Sequence, residues 1–207
     1  MKTSKPNIAI VILAANKTAG IKKTTQSLPW GNSTLLGHTI KEIVKVQISN
    51  LYVVLGTEYE SVFERHKHFP VKFIPNIEFE TGEQSSIQQA IHEISELPLD
   101  GVLFLRANQP ELDHLHLKEM LHSFTRMSRS IVATKHSYGL DLPCVFDSSY
   151  FQNLEELKNS TQGIELLIQQ NLERTFKVTP ERSFHTIETW EGYLKVHSDW
   201  FGEINPS

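Results

Sequence analysis

The residues that could do chemistry in this sequence gather at the expected ends of strands. After the apolar run Asn7–Leu13 comes a long polar loop, residues 14–32, which opens Ala14-Ala15-Asn16 and carries Lys22 and Lys23. After Gly101–Leu105 comes Arg106-Ala107-Asn108-Gln109-Pro110, with the carboxylates Glu111 and Asp113 close behind. Open α/β sheets bind ligands at the carboxyl ends of their strands, so both places are candidate sites. A third candidate lies in 76–87, where Gly82 and a helix start at Ser85-Ser86 would offer backbone N–H groups to a polar ligand. Ser85 and Gln88 also have capping-box spacing, which accounts for the same residues without any ligand.

Other chemistries find little support. The polar loop has no G-x-G-x-x-G, and neither Gly20 nor Gly31 opens a phosphate-binding G-x-x-x-x-G-K-[ST] match. The histidine pairs His66/His68 and His114/His116 lack zinc spacing, since residues two apart on a helix do not share a face. They are expected to be exposed. Cys144 is the single cysteine and has no identifiable base partner, so no internal disulfide forms and a reducing, cytoplasmic setting is expected. A net charge of -4 does not point to nucleic acid or an anionic membrane, and no apolar run is long enough to span a bilayer.

The positioning elements follow from periodicity. A helix over 33–48, capped by Ser33, would present Leu35, Leu36, Ile40, Ile43 and Val44 on one face. Strands are expected over 51–55, 71–74, 101–105, 130–134 and 175–178. Helices are expected over 58–66, from Ser85, from Asp113 to about Met127, and over 148–157, 161–170 and 189–200. Residues 136–144 read as a loop, with Val145-Phe146 a short extended piece. The alternation of strand and helix predicts a single α/β domain, with a Rossmann-like, mostly parallel sheet covered by helices on both faces. Trp190, Tyr193, Trp200 and Phe201 read as helix packing or as a dimer or partner surface.

Several segments, taken in order, carry a resemblance. Residues 11–36 read VILAANKTAGIKKTTQSLPWGNSTLL. Leu13, Ala14, Ala15, Thr18, Leu28, Pro29, Trp30, Gly31, Leu35 and Leu36 fit, without a gap, the opening of the molybdenum-cofactor nucleotidyltransferases, an apolar strand followed by L-A-A-G-x-S-x-R-M-G-x-x-K-x-L-L-P. Asn76, Gly82, Ser85, Ser86 and Ile87 resemble that family's N-x-x-x-x-x-G-x-x-S-[SI] segment. Ala107-Asn108-Gln109-Pro110 stands at its G-D-[MQ]-P. Pro143 and Phe146, Gly163 with Leu166-Leu167, and Thr186–Glu191 at D-I-D-T-P-E complete the series.

The resemblance implies a GT-A-like, nucleotide-diphospho-sugar-transferase type of fold. It implies a reaction of CTP or GTP with molybdopterin that releases pyrophosphate and uses Mg²⁺. Backbone N–H groups cradle the triphosphate, basic side chains neutralise it, and the catalysis is positioning and electrostatic stabilisation. It assigns nucleotide contacts to Ala14, Ala15, Asn16, Asn76, Gly82, Ser85 and Ser86. Asn108 and Glu188 would be the metal positions, and Lys22, Lys23 and Asn108 the catalytic ones.

The sequence departs from the pattern at the residues that touch phosphate and metal. The loop glycine is Asn16, the arginine Gly20, the next glycine Lys22 and the lysine Thr25. The G-D-x-P aspartate is Asn108, and the first aspartate of the last motif is Thr186. Arg106 adds a positive charge where a metal is expected, unless it is simply an exposed strand-end arginine. The expectation is a protein that binds a nucleotide, a pterin or a protein partner with transfer lost or much reduced. The alternatives are an active enzyme using Lys22 or Lys23 and Glu188, and an interaction module that binds no ligand.

Overall fold

The computed structural model describes residues 6–15, 24–125, 130–157 and 163–202. Its centre is β1 (Ile8–Ala14), in which every residue is buried. Ile8, Ile10, Ile12 and Ala14 join one apolar cluster, and Ala9, Val11 and Leu13 join the other. A strand with both faces covered reads as a continuous apolar run, as β1 does.

On either side of β1 lie β4 (Asn50–Leu55) and β6 (Gly101–Arg106), both parallel to it, and β5 (Lys72–Pro75) extends the sheet beyond β4. On the other flank β8 (Gly139–Asp147) runs antiparallel to β6 and to β7 (Ile131–His136), and β9 (Thr175–Val178) closes the edge parallel to β7. The order is β5-β4-β1-β6-β8-β7-β9. A small hairpin, β2 (Pro29–Trp30) with β3 (Ser33–Thr34), stands apart.

Helices α1 (Leu35–Val44), α2 (Tyr59–His66) and α4 (His114–Thr125) cover one face, through residues such as Ile40, Val62 and Met120. The other face is covered by α3 (Glu83–Ile94), α5 (Phe151–Glu155) and α6 (Gly163–Gln170), through Ile87, Leu154 and Ile164. The expected mostly parallel sheet with two helical layers is what the chain forms. The final helix, α7 (Trp190–Phe201), packs Tyr193 and Val196 with Leu28, Trp30, Leu35 and Ile187 in a satellite core. Tyr193 is buried, whereas Trp190, Trp200 and Phe201 are half-exposed. No helix among the described residues is long and apolar enough to cross a membrane.

Four local expectations are corrected. Thr34, not Ser33, caps α1, accepting from Gly37 N at 3.0 Å, and α1 ends at Val44. The helix expected from Ser85 begins at Glu83 with Gly82 at its cap, and Gln88 instead donates to the carbonyls of Glu155 and Leu157. The expected loop 136–144 is mostly β8. Its register against β7 shifts between Ala133 and Thr134, and pairing with β6 stops at Phe104↔Cys144, so Pro143 sits at the irregularity, where no ladder hydrogen bond is required of it.

The histidines supply the fourth. His66 and His116 are buried. His66 lies between the Val62 carbonyl, at 2.7 Å, and the Thr34 hydroxyl, at 2.8 Å. His116 Nε2 lies 2.8 Å from Thr134 Oγ1, whose proton goes to Pro143 O. Burial lowers the pKa of both, as polar residues on helix faces that the amphipathic pattern turns inward.

Candidate functional site

The parallel pairing Leu13↔Arg106 brings the carboxyl ends of β1 and β6 side by side, and Ala107 N extends the ladder to Leu13 O. From β1 the chain leads on to β4 on one side, while β6 lies on the other, so this is the sheet's switch point. A small niche there is lined by Leu13, Ala14, Thr25, Gln26, Arg106, Ala107 and Asn108. Ala14, which lines it, and the next residue, Ala15, are both buried. Asn16, Gly20, Lys22 and Lys23 lie outside the described residues.

Asn76, Gly82, Ser85 and Ser86 do come together. The Asn76 amide donates to Ser85 Oγ at 2.9 Å and to Ser86 Oγ at 3.0 Å, and Ser85 Oγ donates to Gly82 O. All three side chains are buried, and Asn76 Oδ1 accepts from Glu78 N. These groups tie the turn after β5 to the first turn of α3. Gly82 has φ +117°, a conformation open to glycine and strained for other residues.

Asn108 faces the segment before α7. Its side-chain amide donates to Ile187 O at 2.8 Å, and its own carbonyl accepts from Ile187 N at 2.9 Å. Gln109 Nε2 adds a bond to Thr186 Oγ1 at 3.0 Å. The Ala107–Pro110 turn and the 186–188 segment are thus stitched together, with Glu188 exposed beside them. Glu111 accepts from the backbone and ring of His185, and Asp113 caps α4 by accepting from Leu115 N and His116 N. Asn108 offers a neutral amide rather than a carboxylate, and among the described residues no group of three His, Cys, Asp or Glu side chains could hold a metal ion. A divalent cation held by the family's aspartate would find no carboxylate at position 108.

Arg106 is not the exposed strand-end residue that the sequence allowed. Its side chain is only 15% exposed. Nε and Nη2 make a bidentate pair with Glu83, at 2.6 and 2.7 Å, and Nη1 bonds Asp141 Oδ2 at 2.7 Å. Burial opposes its charge, but the attraction of Glu83 and then Asp141 outweighs this and raises its pKa. Glu165 lies 3.9 Å from Nη2, and its pKa is raised first by burial and further by the nearby Asp141. Periodicity identified neither Glu83 nor Asp141. The one available signal was Glu83 in a helix first turn, where a carboxylate is favoured. This cluster walls a cavity of about 820 Å³ that reaches Tyr138, His136, Thr186 and Glu188. Arg106 borders both this cavity and the niche.

A family model for the MobA-like NTP transferase domain matches residues 10–175. The chain belongs to this family. Among curated proteins no sequence match was found. Among solved structures, Rv0371c from Mycobacterium tuberculosis H37Rv superposes with a TM-score of 0.82 at 18% identity, covering 94% of this chain and 100% of its own. A second structure of Rv0371c, complexed with manganese, gives a TM-score of 0.76 at 17% identity, covering 93% and 98%. A nucleotidyl transferase from Methanothermobacter thermautotroptrophicus gives 0.78 at 14% identity, covering 93% and 96%. CMP:2-keto-3-deoxy-manno-octonic acid synthetase complexed with CTP gives 0.73 at 13% identity, covering 93% and 97%. At these identities the likeness is one of fold. For a MobA-like chain, the niche at the ends of β1 and β6 is where the sequence resemblance sets the nucleotide loop and the G-D-x-P turn.

Asn108→Asp would restore the family's residue type here. It would also set a carboxylate against the Ile187 carbonyl, two acceptors with no proton between them. The expected loss is about 1–3 kcal/mol of stability, read by urea unfolding at neutral pH. Unchanged stability would mean that the bond to Ile187 contributes nothing.

Proposed function

We propose that this MobA-like protein binds a nucleoside triphosphate, CTP or GTP, with nucleotidyl transfer lost or much reduced. A pterin such as molybdopterin, the acceptor that the sequence resemblance implies, is the second candidate ligand. The observation that carries this reading is Asn108: the residue at the family's metal aspartate has no carboxylate, and its amide is bonded to Ile187 O. The substitutions at Gly20 and Thr25 agree with it, since each removes a cation that would neutralise phosphate. Loss of a single transition-state contact typically lowers a rate by about 10²–10³, and several such positions are changed together here.

Calorimetry against the four NTPs, each with and without Mg²⁺ or Mn²⁺, is expected to show binding that does not require the metal. Incubation with CTP or GTP, metal and molybdopterin is expected to release little pyrophosphate. Robust metal-dependent release would overturn the proposal.

The manganese complex of Rv0371c favours a second reading, an active enzyme in which Lys22 or Lys23 supplies the cation and Glu188 helps hold the metal. Under that reading Lys22→Ala with Lys23→Ala abolishes activity. A third, a protein-interaction module or homodimer without ligand, predicts no nucleotide binding at all.

A further inference from the structure

We propose that Gln26 is a ligand-binding residue, its side-chain amide donating to a phosphate oxygen seated in the niche between the ends of β1 and β6. The assignment rests on the nucleotide-binding reading above and adds a residue and a ligand atom to it.

Gln26 is 2% exposed, and its Nε2 is fully buried with no hydrogen-bond partner among the described residues. A buried amide donor without a partner destabilises a fold, and native proteins keep few of them. The side chain projects from an ordered turn. It sits in the 3₁₀ turn Thr25–Ser27, closed by Ser27 N to Thr24 O at 2.9 Å and Leu28 N to Thr25 O at 3.1 Å. Thr24 Oγ1 is bonded to Ser27 Oγ and lies 3.2 Å from Glu58. The turn therefore fixes the backbone from which the Gln26 side chain projects before any ligand arrives.

Gln26 lines the niche together with Leu13, Ala14, Thr25, Arg106, Ala107 and Asn108. Of the other polar lining groups, the Arg106 guanidinium is engaged by Glu83 and Asp141 and the Asn108 amide N–H by Ile187 O, which leaves the Gln26 amide as the unengaged donor. The free volume is about 20 Å³, close to what one oxygen-sized group requires. An N–H donor selects an acceptor oxygen and rejects a cation. Gln26 also follows Thr25, the position of the lysine that the resemblance assigns to phosphate. A neutral donor one residue on then supplies the contact that the lost cation no longer makes.

The test compares the wild-type protein with Gln26→Met, which keeps the length of the side chain and removes the donor. Each is titrated calorimetrically with CTP, GTP and inorganic tripolyphosphate. The wild type is expected to bind, and Gln26→Met to bind nucleotides and tripolyphosphate about 10- to 100-fold more weakly, the range for a hydrogen bond to a charged group. The ligand-free variant is expected to melt no lower than the wild type, because an unsatisfied donor has been removed. Should Gln26→Met not fold, Gln26→Glu keeps the shape and is expected to weaken binding at least as much by repelling phosphate.

Equal affinities in wild type and variant overturn the assignment and show that the niche holds only water, leaving the nucleotide reading intact. A lower melting temperature with unchanged affinity overturns it in favour of a structural role. Weakened nucleotide binding with unchanged tripolyphosphate binding overturns it by placing the acceptor oxygen on the nucleoside. A wild type that binds no nucleotide overturns the nucleotide reading, and this assignment with it.

Discussion

Arg106→Met is expected to destabilise the protein by about 3–5 kcal/mol, the loss typical when one partner of a buried ion pair is removed. The guanidinium holds Glu83 through two parallel bonds and Asp141 through a third, and the three side chains are 15%, 20% and 11% exposed. Without it two carboxylates remain in a poorly hydrated wall facing each other and Glu165. For a chain of this size the corresponding fall in melting temperature is roughly 10 °C. Arg106→Lys is expected to recover only part of the loss, because a single ammonium cannot reproduce the planar fork across three oxygens. Replacing all three together, Arg106→Met with Glu83→Met and Asp141→Leu, is expected to recover most of it, since what destabilises is the unpaired charge rather than the missing pair. Urea unfolding at neutral pH measures all three. A loss below 1 kcal/mol for Arg106→Met would show that the carboxylates stay hydrated.

The same cluster explains what could and could not be read from the chain itself. β1 was legible because both of its faces are buried, which makes Ile8–Ala14 apolar throughout. β8 was not, because Gly139, Asp141 and Pro143 break the alternation that marks a strand. Those departures are functional in the fold. Gly139 opens the tight turn from β7 with a positive φ, Pro143 sits at the register shift, and Asp141 reaches Arg106. The helix starts were misplaced by one or two residues at Ser33 and Ser85, where neighbouring residues, Thr34 and Gly82, took the cap.

At the site, the family resemblance named Asn76, Gly82, Ser85, Ser86 and Asn108, and the structure gives each a defined place. It could not name their partners. Glu83 lies 23 residues from Arg106, Asp141 lies 35 from it, and Ile187 lies 79 from Asn108. Such pairs are set by sheet order and by which loops meet at one edge, and no local period records that. Gln26 was missed for the opposite reason: glutamine in a polar loop gives no signal until its burial is known.

Histidine burial sets a second large effect, a loss of stability in mild acid. His116 lies on the buried face of α4 against Phe184 and Thr134, and burial lowers its pKa to about 4, with the attraction of Asp113 and the repulsion of His136 acting as smaller, opposing influences. An unfolded histidine titrates near 6.5, so between about pH 6.5 and 4 the unfolded chain binds a proton that the folded chain does not. Stability is therefore full above pH 6.5, falls as pH drops toward 4, and levels off below that for this group. One such group contributes at most about 3 kcal/mol across the window. His66 and His38 are shifted in the same direction by burial and add to the acid limb. His116→Gln retains an N–H for the Thr134 hydroxyl and does not titrate. Urea unfolding from pH 7.5 to 4 is expected to show a shallower decline for this variant than for the wild type, with the two curves diverging below pH 6.5. Parallel curves would mean that His116 charges in the folded state as readily as in the unfolded one, and that the acid limb belongs to other groups, His66 and His38 among them.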